Sequence, residues 1–323
     1  MEVDSYMGEL SGKAKEKESL WGFLRSLKRL RENFGHVHVN VGEPIPLVPL
    51  LDEHQPEWRE KLGQDGRGVT VSAAVDVLAQ RIMRNINAAA AVTPVNLLAL
   101  VLLATQRQVM LEADLLRQLN ACLTLLRQAP YSDRVTFPKE DAAAIVAAGF
   151  KAQVLVRVGA DTIGLAPRHA SAMPYYRNNV LHVFALPSLL ACCFQSNTRL
   201  PTADLQRLAW RIYPYICSEL FLRWDESQLE AVVLENLRAL RAAGLLASDG
   251  TGNEWTAAAP ATAEAVQLSV LAKPTLQIIE RYYLAIALLL RAGSGAISQA
   301  ELEKSCQQMA QRMVTLYGFY SPE

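Results

Sequence analysis

Cysteine is scarce in this chain and forms no metal-binding pattern. The 323 residues include five cysteines, at 122, 192, 193, 217 and 306, and none belongs to a CxxC or Cys/His ligand spacing. Most of them lie in apolar stretches, which is typical of reduced, buried thiols in a protein that faces the cytosol. We therefore expect neither a metal nor a cofactor.

An excess of charge of one sign is also missing. The 32 bases balance the 32 acids, so no overall field favours nucleic acid or a membrane. A glycine-rich phosphate loop is lacking too, because the GSG at 293–295 is a lone turn, and Ser171 and Ser188 have no His or Asp arrangement around them. With 51% apolar and 20% charged residues the chain has the composition of a folded protein, and its length gives room for about two domains.

Hydrophobic runs long enough to cross a membrane are lacking as well. A spanning helix needs roughly 18 or more apolar residues. The run at 88–105 is broken by Thr93 and Pro94, which predicts that one helix ends and another begins there. The run at 180–194 is shorter and contains His182. Both runs predict buried core helices. The first twenty residues form no signal peptide, so we expect any membrane contact to be peripheral.

The first 62 residues have the pattern of an α/β layer. Apolar residues at helical spacing predict an amphipathic helix over 20–34. Valines alternate with polar residues over 37–41, which predicts a β-strand. Because one strand cannot bury a face alone, we interpret 1–62 as the remnant of a larger α/β domain. The glycine-rich segment that follows predicts a linker over 63–69.

The remaining residues, 70–323, are mainly helical in pattern and repeat themselves. An apolar helix and then an Ala-acid-Leu triplet occur three times, with the triplets at 113–115, 203–205 and 300–302. The first two triplets are followed by a further helix with a glycine stop, at Gly149 and Gly244, and then by a predicted hairpin. This order of three helices and a small hairpin is that of a winged helix. The copies lie about 90 residues apart, far above the usual solenoid period.

The third copy is predicted to be incomplete. Ser298 and Glu301 predict a capping box at the start of its amphipathic helix. The helix and hairpin that close the first two copies would fall beyond Glu323. The predicted fold is therefore mainly α: a multi-helical domain with winged-helix-like repeats, incomplete at its C-terminus, preceded by a helix-strand remnant of an α/β domain.

Several sequence blocks resemble the membrane-associated glycerol-3-phosphate acyltransferases of bacteria, which have mitochondrial relatives. The blocks cover nearly the whole chain and are GKAKEKESLW (12–21), GEPIPL (42–47), RIMRNINAAAAVTPVNLLALVLLA (81–104), APYS (129–132), YYRNNVLH (175–182) and ELFLRWD (219–225). That family transfers a fatty acyl group from acyl-CoA or acyl-carrier protein to the 1-hydroxyl of glycerol-3-phosphate, which begins phospholipid synthesis. The resemblance implies a peripheral enzyme at the cytoplasmic face of the inner membrane.

The family's four catalytic blocks cannot be found in this sequence. They include a His-x4-Asp pair, whose histidine acts as a general base without a metal. The chain begins with residues that resemble the segment just after the fourth block. We therefore expect the C-terminal part of such an acyltransferase, structural in role, inactive alone and without a catalytic residue of its own.

His38 and Glu43 imitate the family's catalytic pair, because an acid follows a histidine at the same spacing. A carboxylate must come within roughly 2.6–3.2 Å of the ring nitrogen to orient a base, whereas five residues of extended chain span about 16 Å. His38 lies inside the predicted strand, and Glu43 lies past the turn at Gly42 with its side chain toward the opposite face. We predict a structural histidine and not a base.

Four basic residues are candidates for binding substrate. Lys13, Lys15 and Lys17 belong to a basic run that would suit CoA phosphates or anionic headgroups, and a solvated charged face is the alternative. Arg177 lies at a predicted helix start, where it would either line a ligand pocket or belong to a polar helix cap.

Other polar residues are predicted to have structural roles. His182 lies on an apolar helix face, which predicts a hydrogen-bonded core histidine. Arg81, Arg84, Asn85 and Asn87 lie along one helix next to small alanines, and this pattern favours a helix that docks one part of the chain on another.

Two other functions fit tandem winged-helix-like units. DNA binding needs a helix with clustered bases, and the candidate helices carry mixed charge, so we expect no nucleic-acid partner. The other alternative is a non-catalytic interaction module that shares only the family's C-terminal portion.

Overall fold

Helices dominate the computed structural model, which describes residues 37–59, 72–293 and 295–317. The helices are α1 Leu47–His54, α2 Ser72–Ala88, α3 Pro94–Leu102, α4 Glu112–Gln128, α5 Ala142–Lys151, α6 Met173–Asn178, α7 Leu181–Cys193, α8 Thr202–Leu220, α9 Glu226–Ala242, α10 Ala263–Ala292 and α11 Gln299–Tyr317. The strands are β1 Val109–Leu111, β2 Leu155–Arg157, β3 Thr162–Leu165, β4 Arg199–Pro201, β5 Leu246–Ser248 and β6 Glu254–Ala257. The prediction of a mainly α fold is confirmed. The chain divides into two units, residues 1–39 and 40–323, and all of these elements belong to the second.

Two copies of a winged helix account for both sheets. The first copy runs α3, β1, α4, α5, β2 and β3, and the second runs α7, β4, α8, α9, β5 and β6. Both sheets are antiparallel and share one topology, with strand orders β1-β3-β2 and β4-β6-β5. The predicted repeat is therefore confirmed in the order and pairing of its elements.

The Ala-acid-Leu triplet begins the second helix of each copy. Its leucines, Leu115 and Leu205, are fully buried in the core. Its acids, Asp114 and Asp204, each form an ion pair with the arginine three positions later. An acid in the first turn also interacts favourably with the positive end of the helix dipole. The triplet thus fixes one helix face inward and supplies the first turn with a suitable charge.

A short strand in front of each triplet was not predicted. β1 pairs with β3, and β4 pairs with β6, in each case next to the start of the helix. The backbone N–H of Glu112 donates to the carbonyl of Asp161 at 2.8 Å, and that of Thr202 donates to Asn253 at 2.8 Å. The hairpin thus satisfies an N–H group that a helix start leaves without an intrahelical partner.

One of the two predicted glycine stops is wrong. Gly244 follows the end of α9 with a φ of +75°, as expected of a left-handed residue after a helix. Gly149 lies inside α5, where a Cβ would come within 2.5 Å of Leu98 Cδ1 and 2.7 Å of Leu155 Cδ1. The left-handed residue after α5 is Gln153, with a φ of +59°. Gly149 is therefore needed for the close packing of α5 against Leu98 and Leu155, and it does not end the helix.

Two predicted caps are present at helix starts. At α3, which has Pro94 in its first turn, the Thr93 Oγ1 accepts from the N–H of Asn96 at 3.3 Å, and Asn96 Oδ1 accepts from the N–H of Thr93 at 2.8 Å. At α11, Glu301 Oε2 accepts from the N–H of Ser298 at 3.0 Å. Both caps are confirmed, and so is the break between α2 and α3.

The two apolar runs form the centre of the core, as predicted. Residues 96–102 of α3 and residues 182–191 of α7 are all buried. α10 packs along α7, where the Ser188 Oγ donates to the carbonyl of Ala272 at 3.2 Å and accepts from the N–H of Thr275 at 3.1 Å. α10 then continues without interruption to a length of 30 residues and packs against α11.

The predicted strand over 37–41 is wrong. These residues form no ladder with any described residue, and Val37, Val39 and Val41 are 86%, 82% and 81% exposed. The alternation of apolar and polar residues shows which face a strand would bury. A strand forms only where a neighbouring strand pairs with its backbone. The proline-rich stretch that follows forms α1, which tolerates Pro49 because the first turn of a helix has no use for that N–H.

Three further predictions fall outside the described residues. They are the amphipathic helix over 20–34, the basic run at 13–17 and the linker over 63–69. The division into domains 1–62 and 70–323 stays a prediction.

Candidate functional site

Amide side chains on α2 tie two parts of the chain together. Asn85 Nδ2 donates to the carbonyl of Glu43 at 2.8 Å. Asn87 Nδ2 donates to the carbonyls of Leu220 at 2.7 Å and Phe221 at 3.2 Å. These two carbonyls lie at the end of α8, where the last residues of a helix have no intrahelical donor. α2 therefore holds the segment around Glu43 on one side and the second winged helix on the other, as the docking role predicted for it requires.

A cavity of about 540 Å³ opens beside α2. Segment 43–46 forms one wall, α2 forms another, and residues 132–134 and Arg223 complete the lining. Four arginines face this cavity, and we call them the arginine pocket: Arg81, Arg84, Arg134 and Arg223. Glu43 and Asp133 are the acids in the same lining. Four guanidinium groups against two carboxylates give the cavity a positive potential.

Only two of these arginines pair with a carboxylate among the described residues. Arg134 Nη1 lies 3.6 Å from the Glu43 carboxylate, and Arg81 Nη2 lies 3.3 Å from that of Glu53 on α1. Both pairs are largely exposed to solvent, where ion pairs contribute little to stability. Arg84 and Arg223 lack such a partner within the described ranges, so their charge is available to an anion in the cavity.

One polar atom of the cavity lining, Arg84 Nε, is buried without a hydrogen-bond partner among the described residues. Tyr131 is only 1% exposed, and its own carbonyl accepts from Arg223 Nη1 at 2.9 Å. Burial raises the pKa of the Tyr131 hydroxyl, and a backbone hydrogen bond from Arg223 together with the charges of Arg223 and Arg84 opposes that shift.

His182 is the hydrogen-bonded core histidine that the sequence predicts. It is 5% exposed, and its Nε2 lies 3.0 Å from the carbonyl oxygen of Asn87. Because a carbonyl oxygen can only accept, Nε2 carries the hydrogen. Burial lowers the pKa of His182 to about 4. The ring stacks edge-to-face on Tyr131 at a centroid distance of 5.0 Å. At neutral pH this histidine is a neutral packing group.

Arg177 lies apart from the arginine pocket, on α6. Its Nε and Nη2 donate to Asn178 Oδ1 at 3.2 and 3.1 Å, and its Nη1 donates to Gln277 Oε1 at 3.3 Å. Burial and the nearby charge of Arg281 lower its pKa. The structure therefore gives Arg177 neutral protein partners, and its assignment to substrate binding stays a prediction. Lys13, Lys15 and Lys17 lie outside the described residues.

Two histidines lie near the start of the described chain, His38 and His54, and neither is held by a carboxylate of the described residues at hydrogen-bond distance. His38 is exposed. The Glu43 carboxylate faces the guanidinium of Arg134. His54 Nε2 lies 3.6 Å from Glu53 Oε2, beyond the reach of a hydrogen bond that would orient a base. That neither of them is a catalytic base stays a prediction.

The five cysteines are free thiols, as the sequence predicts. Burial raises the pKa of Cys122 and of Cys192 to about 12, and that of Cys193 to about 11. In the described part of the chain, no group of three or more His, Cys, Asp or Glu side chains is arranged to hold a metal ion. None of the described helices is both long and apolar enough to cross a membrane.

Sequence reasoning missed the arginine pocket because its members are far apart in the chain. Arg84 and Arg223 are separated by more than a hundred residues, and a period or spacing cannot join them. The available signal was the set of sequence blocks quoted above: GEPIPL, RIMRN, APYS and ELFLRWD each contribute at least one residue to the cavity.

Comparison with known proteins gives matches over nearly the whole chain. Residues 6–323 match the family model described as glycerol-3-phosphate acyltransferase C-terminal region. Over its full length the chain is 43% identical to the glycerol-3-phosphate acyltransferase of Pseudomonas paraeruginosa and covers 39% of it. It is 42% identical to that of Xanthomonas campestris pv. campestris, covering 37%, and 41% identical to that of Pseudomonas fluorescens, covering 39%. The chain thus spans less than two fifths of the length of these relatives.

Proposed function

Because the chain belongs to the family of glycerol-3-phosphate acyltransferase C-terminal regions, we propose that it acts as part of an enzyme that makes the first acyl ester of phospholipid synthesis. The reaction transfers a fatty acyl group from acyl-CoA or acyl-carrier protein to the 1-hydroxyl of glycerol-3-phosphate. The relatives reported above are named glycerol-3-phosphate acyltransferases.

The role we propose for this region is structural. The observation that carries it is the pair of asparagines on α2, which bind the segment around Glu43 with one amide and the end of α8 with the other. The GEPIPL block is thereby fixed on the winged-helix body. We expect this region to bind the catalytic part of the enzyme and to fix the orientation of that part.

The state of His182 supports this structural role. Acyl transfer to a hydroxyl needs a base within roughly 2.6–3.2 Å of the proton it removes. His182 is buried, donates from Nε2 to a backbone carbonyl and has its pKa lowered to about 4. A ring in that state has no access to a substrate hydroxyl.

The test uses two assays on the purified chain. With acyl-CoA and glycerol-3-phosphate alone, we expect no turnover above the blank. When the chain is mixed with the remaining portion of the Pseudomonas paraeruginosa relative, we expect the two to associate and turnover to rise. The Asn85→Ala/Asn87→Ala double variant should associate more weakly. Turnover by the chain alone would contradict the structural role, and a failure to associate would contradict docking.

We also propose that the intact enzyme is a peripheral protein at the cytoplasmic face of the inner membrane. The support is chemical, because the acyl product is a lipid and the other substrate is a water-soluble phosphate ester. Fractionation of cells tests this: the enzyme should sediment with inner membranes and be released by an alkaline carbonate wash. Retention after the wash would contradict peripheral attachment.

DNA binding is not favoured by the described residues. The helix before the hairpin, which would read DNA, corresponds to α5 and α9. α5 carries Lys151 as its one charged residue, and α9 carries three glutamates against two arginines. Neutralising phosphates requires clustered bases, so we do not propose a nucleic-acid partner.

A further inference from the structure

We propose that the arginine pocket binds the phosphate monoester group of a ligand. The pocket combines four guanidinium groups, two of them without a carboxylate partner among the described residues, in a cavity of about 540 Å³. That volume falls in the range of roughly 300–1,000 Å³ that is usual for small-molecule sites.

A buried polar atom of the pocket lining supplies an independent observation. A donor that is buried without a partner destabilises a protein by about 1–3 kcal/mol. Arg84 Nε is such a donor among the described residues, and Arg84 lines the pocket. An anion with several acceptor oxygens would satisfy the unused donor there.

The geometry of the guanidinium group favours phosphate over a point-like anion. Its planar fork donates two parallel hydrogen bonds to two oxygens of one phosphate. The backbone also contributes to the arrangement: Arg223 donates to the carbonyl of Tyr131, which holds that guanidinium in place. Asn85 fixes segment 43–46 as the opposite wall.

The choice of a phosphate monoester over other anions rests on the proposed function, whose participants carry this group. It occurs in glycerol-3-phosphate, in the 3′-phosphate of CoA and in the headgroup of the acylated product. These sources share one chemistry and differ in what is attached to it, so binding measurements can separate them.

The first experiment measures binding to the 323-residue chain by calorimetry at low salt. The probes are inorganic phosphate, glycerol-3-phosphate, adenosine 3′,5′-bisphosphate, and vesicles of phosphatidylcholine with and without phosphatidic acid. We expect binding of at least one phosphate probe, weakened by added salt, and no binding of acetate at the same concentration. The tightest probe identifies the source. No binding of any phosphate probe, or equal binding of acetate, would overturn the proposal.

The second experiment uses substitutions of opposite expected sign. Arg84→Gln should weaken binding by about tenfold or more, since hydrogen bonds to charged groups contribute strongly. Arg134→Gln, at the exposed rim, should weaken it by about threefold. Asp133→Asn removes a carboxylate from the lining and should tighten binding by about threefold. Arg238→Gln, on the exposed face of α9, is the matched control and should change nothing.

The gain expected for Asp133→Asn keeps the proposal testable even if Arg84→Gln fails to fold. Affinity that is unchanged in the three pocket variants would place the anion elsewhere and overturn the proposal. Binding is measured without acyl transfer, so a chain that binds phosphate but never supports turnover would count against the proposed function alone.

Discussion

His182 Nε2 lies 3.0 Å from the backbone carbonyl oxygen of Asn87, although the two residues are 95 positions apart. Through this contact the first helix of the second winged helix meets the end of α2, whose own amide side chain reaches α8. Three helices, α2, α7 and α8, therefore meet at Asn87. The contact is made by a neutral ring, and its protonation state has consequences for stability.

Acid should destabilise the fold through His182. The pKa of this ring is lowered from 6.5 to about 4 by burial. As the pH falls below 6.5, the ring is protonated in the unfolded chain but stays neutral in the folded protein until about pH 4. The contribution of His182 to the free energy of unfolding is therefore fully present above pH 6.5 and is lost as the pH falls from 6.5 to 4. The loss by pH 4 is about 3 kcal/mol. In urea unfolding at pH 7.5, 5.5 and 4.5, His182→Gln should lose less stability with acid than the wild type.

The matched control is His38→Gln, since His38 is exposed. Its unfolding free energy should follow the wild-type pH dependence. If His182→Gln followed it too, burial of a neutral ring would not be the source of the acid sensitivity.

Gly149→Ala should destabilise the protein by about 1–3 kcal/mol, as overpacking of a core does. The added Cβ would approach Leu98 Cδ1 to 2.5 Å and Leu155 Cδ1 to 2.7 Å. Chemical denaturation measures the change. Gly159→Ala is the control, because its Cβ would meet Thr162 atoms only at 3.7 Å. We expect that variant to be within about 0.5 kcal/mol of the wild type, and an equal loss in both variants would contradict the packing role of Gly149.

Thr202→Val should destabilise the second winged helix by about 1–3 kcal/mol, because it leaves a buried donor unpaired. The Thr202 Oγ1 accepts from Trp255 Nε1 at 2.8 Å and donates to the carbonyl of Gly252 at 2.6 Å. Trp255 is 1% exposed, so water cannot replace the hydroxyl. Thr202→Ser retains the oxygen and should stay closer to the wild type. Unfolding followed by tryptophan fluorescence compares the two, and equal losses would rule out the hydrogen bonds as the cause.

Asn85→Ala should loosen the segment that includes α1. The variant loses the hydrogen bond to the carbonyl of Glu43, and a net loss of about 1 kcal/mol corresponds to roughly fivefold faster opening. Hydrogen exchange of the amides in α1 measures this. Asn120→Ala, at an exposed position of α4, is the control and should leave the exchange unchanged. Unchanged exchange in Asn85→Ala would show that other contacts hold the segment.

Local sequence signals predicted the repeated elements of this fold. Thr93 with Pro94, Ser298 with Glu301, and Gly244 act through neighbouring residues, and the structure shows each cap or stop where it was expected. The Ala-acid-Leu triplets were informative because one leucine is fully buried in each complete copy. Each of these features is determined by residues a few positions apart in the sequence, and a sequence pattern can describe that range.

Features that depend on distant partners could not be predicted in the same way. β1 has three residues and no period, and it exists because β3 pairs with it 51 to 55 positions later in the chain. The sequence around Gly149 predicts a helix stop, and only the structure shows that Leu98 leaves no room for a Cβ at this position. Residues 37–41 have the alternating sequence of a strand, but no described residue pairs with their backbone. The arginines of the arginine pocket line one cavity, but their spacing in the sequence follows no pattern.

The length of α10 has a mechanical consequence. This single helix of 30 residues begins against the second winged helix and ends beside α11, about 45 Å further along its axis. One inserted residue would rotate everything beyond it by about 100° and translate it by about 1.5 Å. An insertion or deletion within α10 would therefore change the position of α11 relative to the second winged helix.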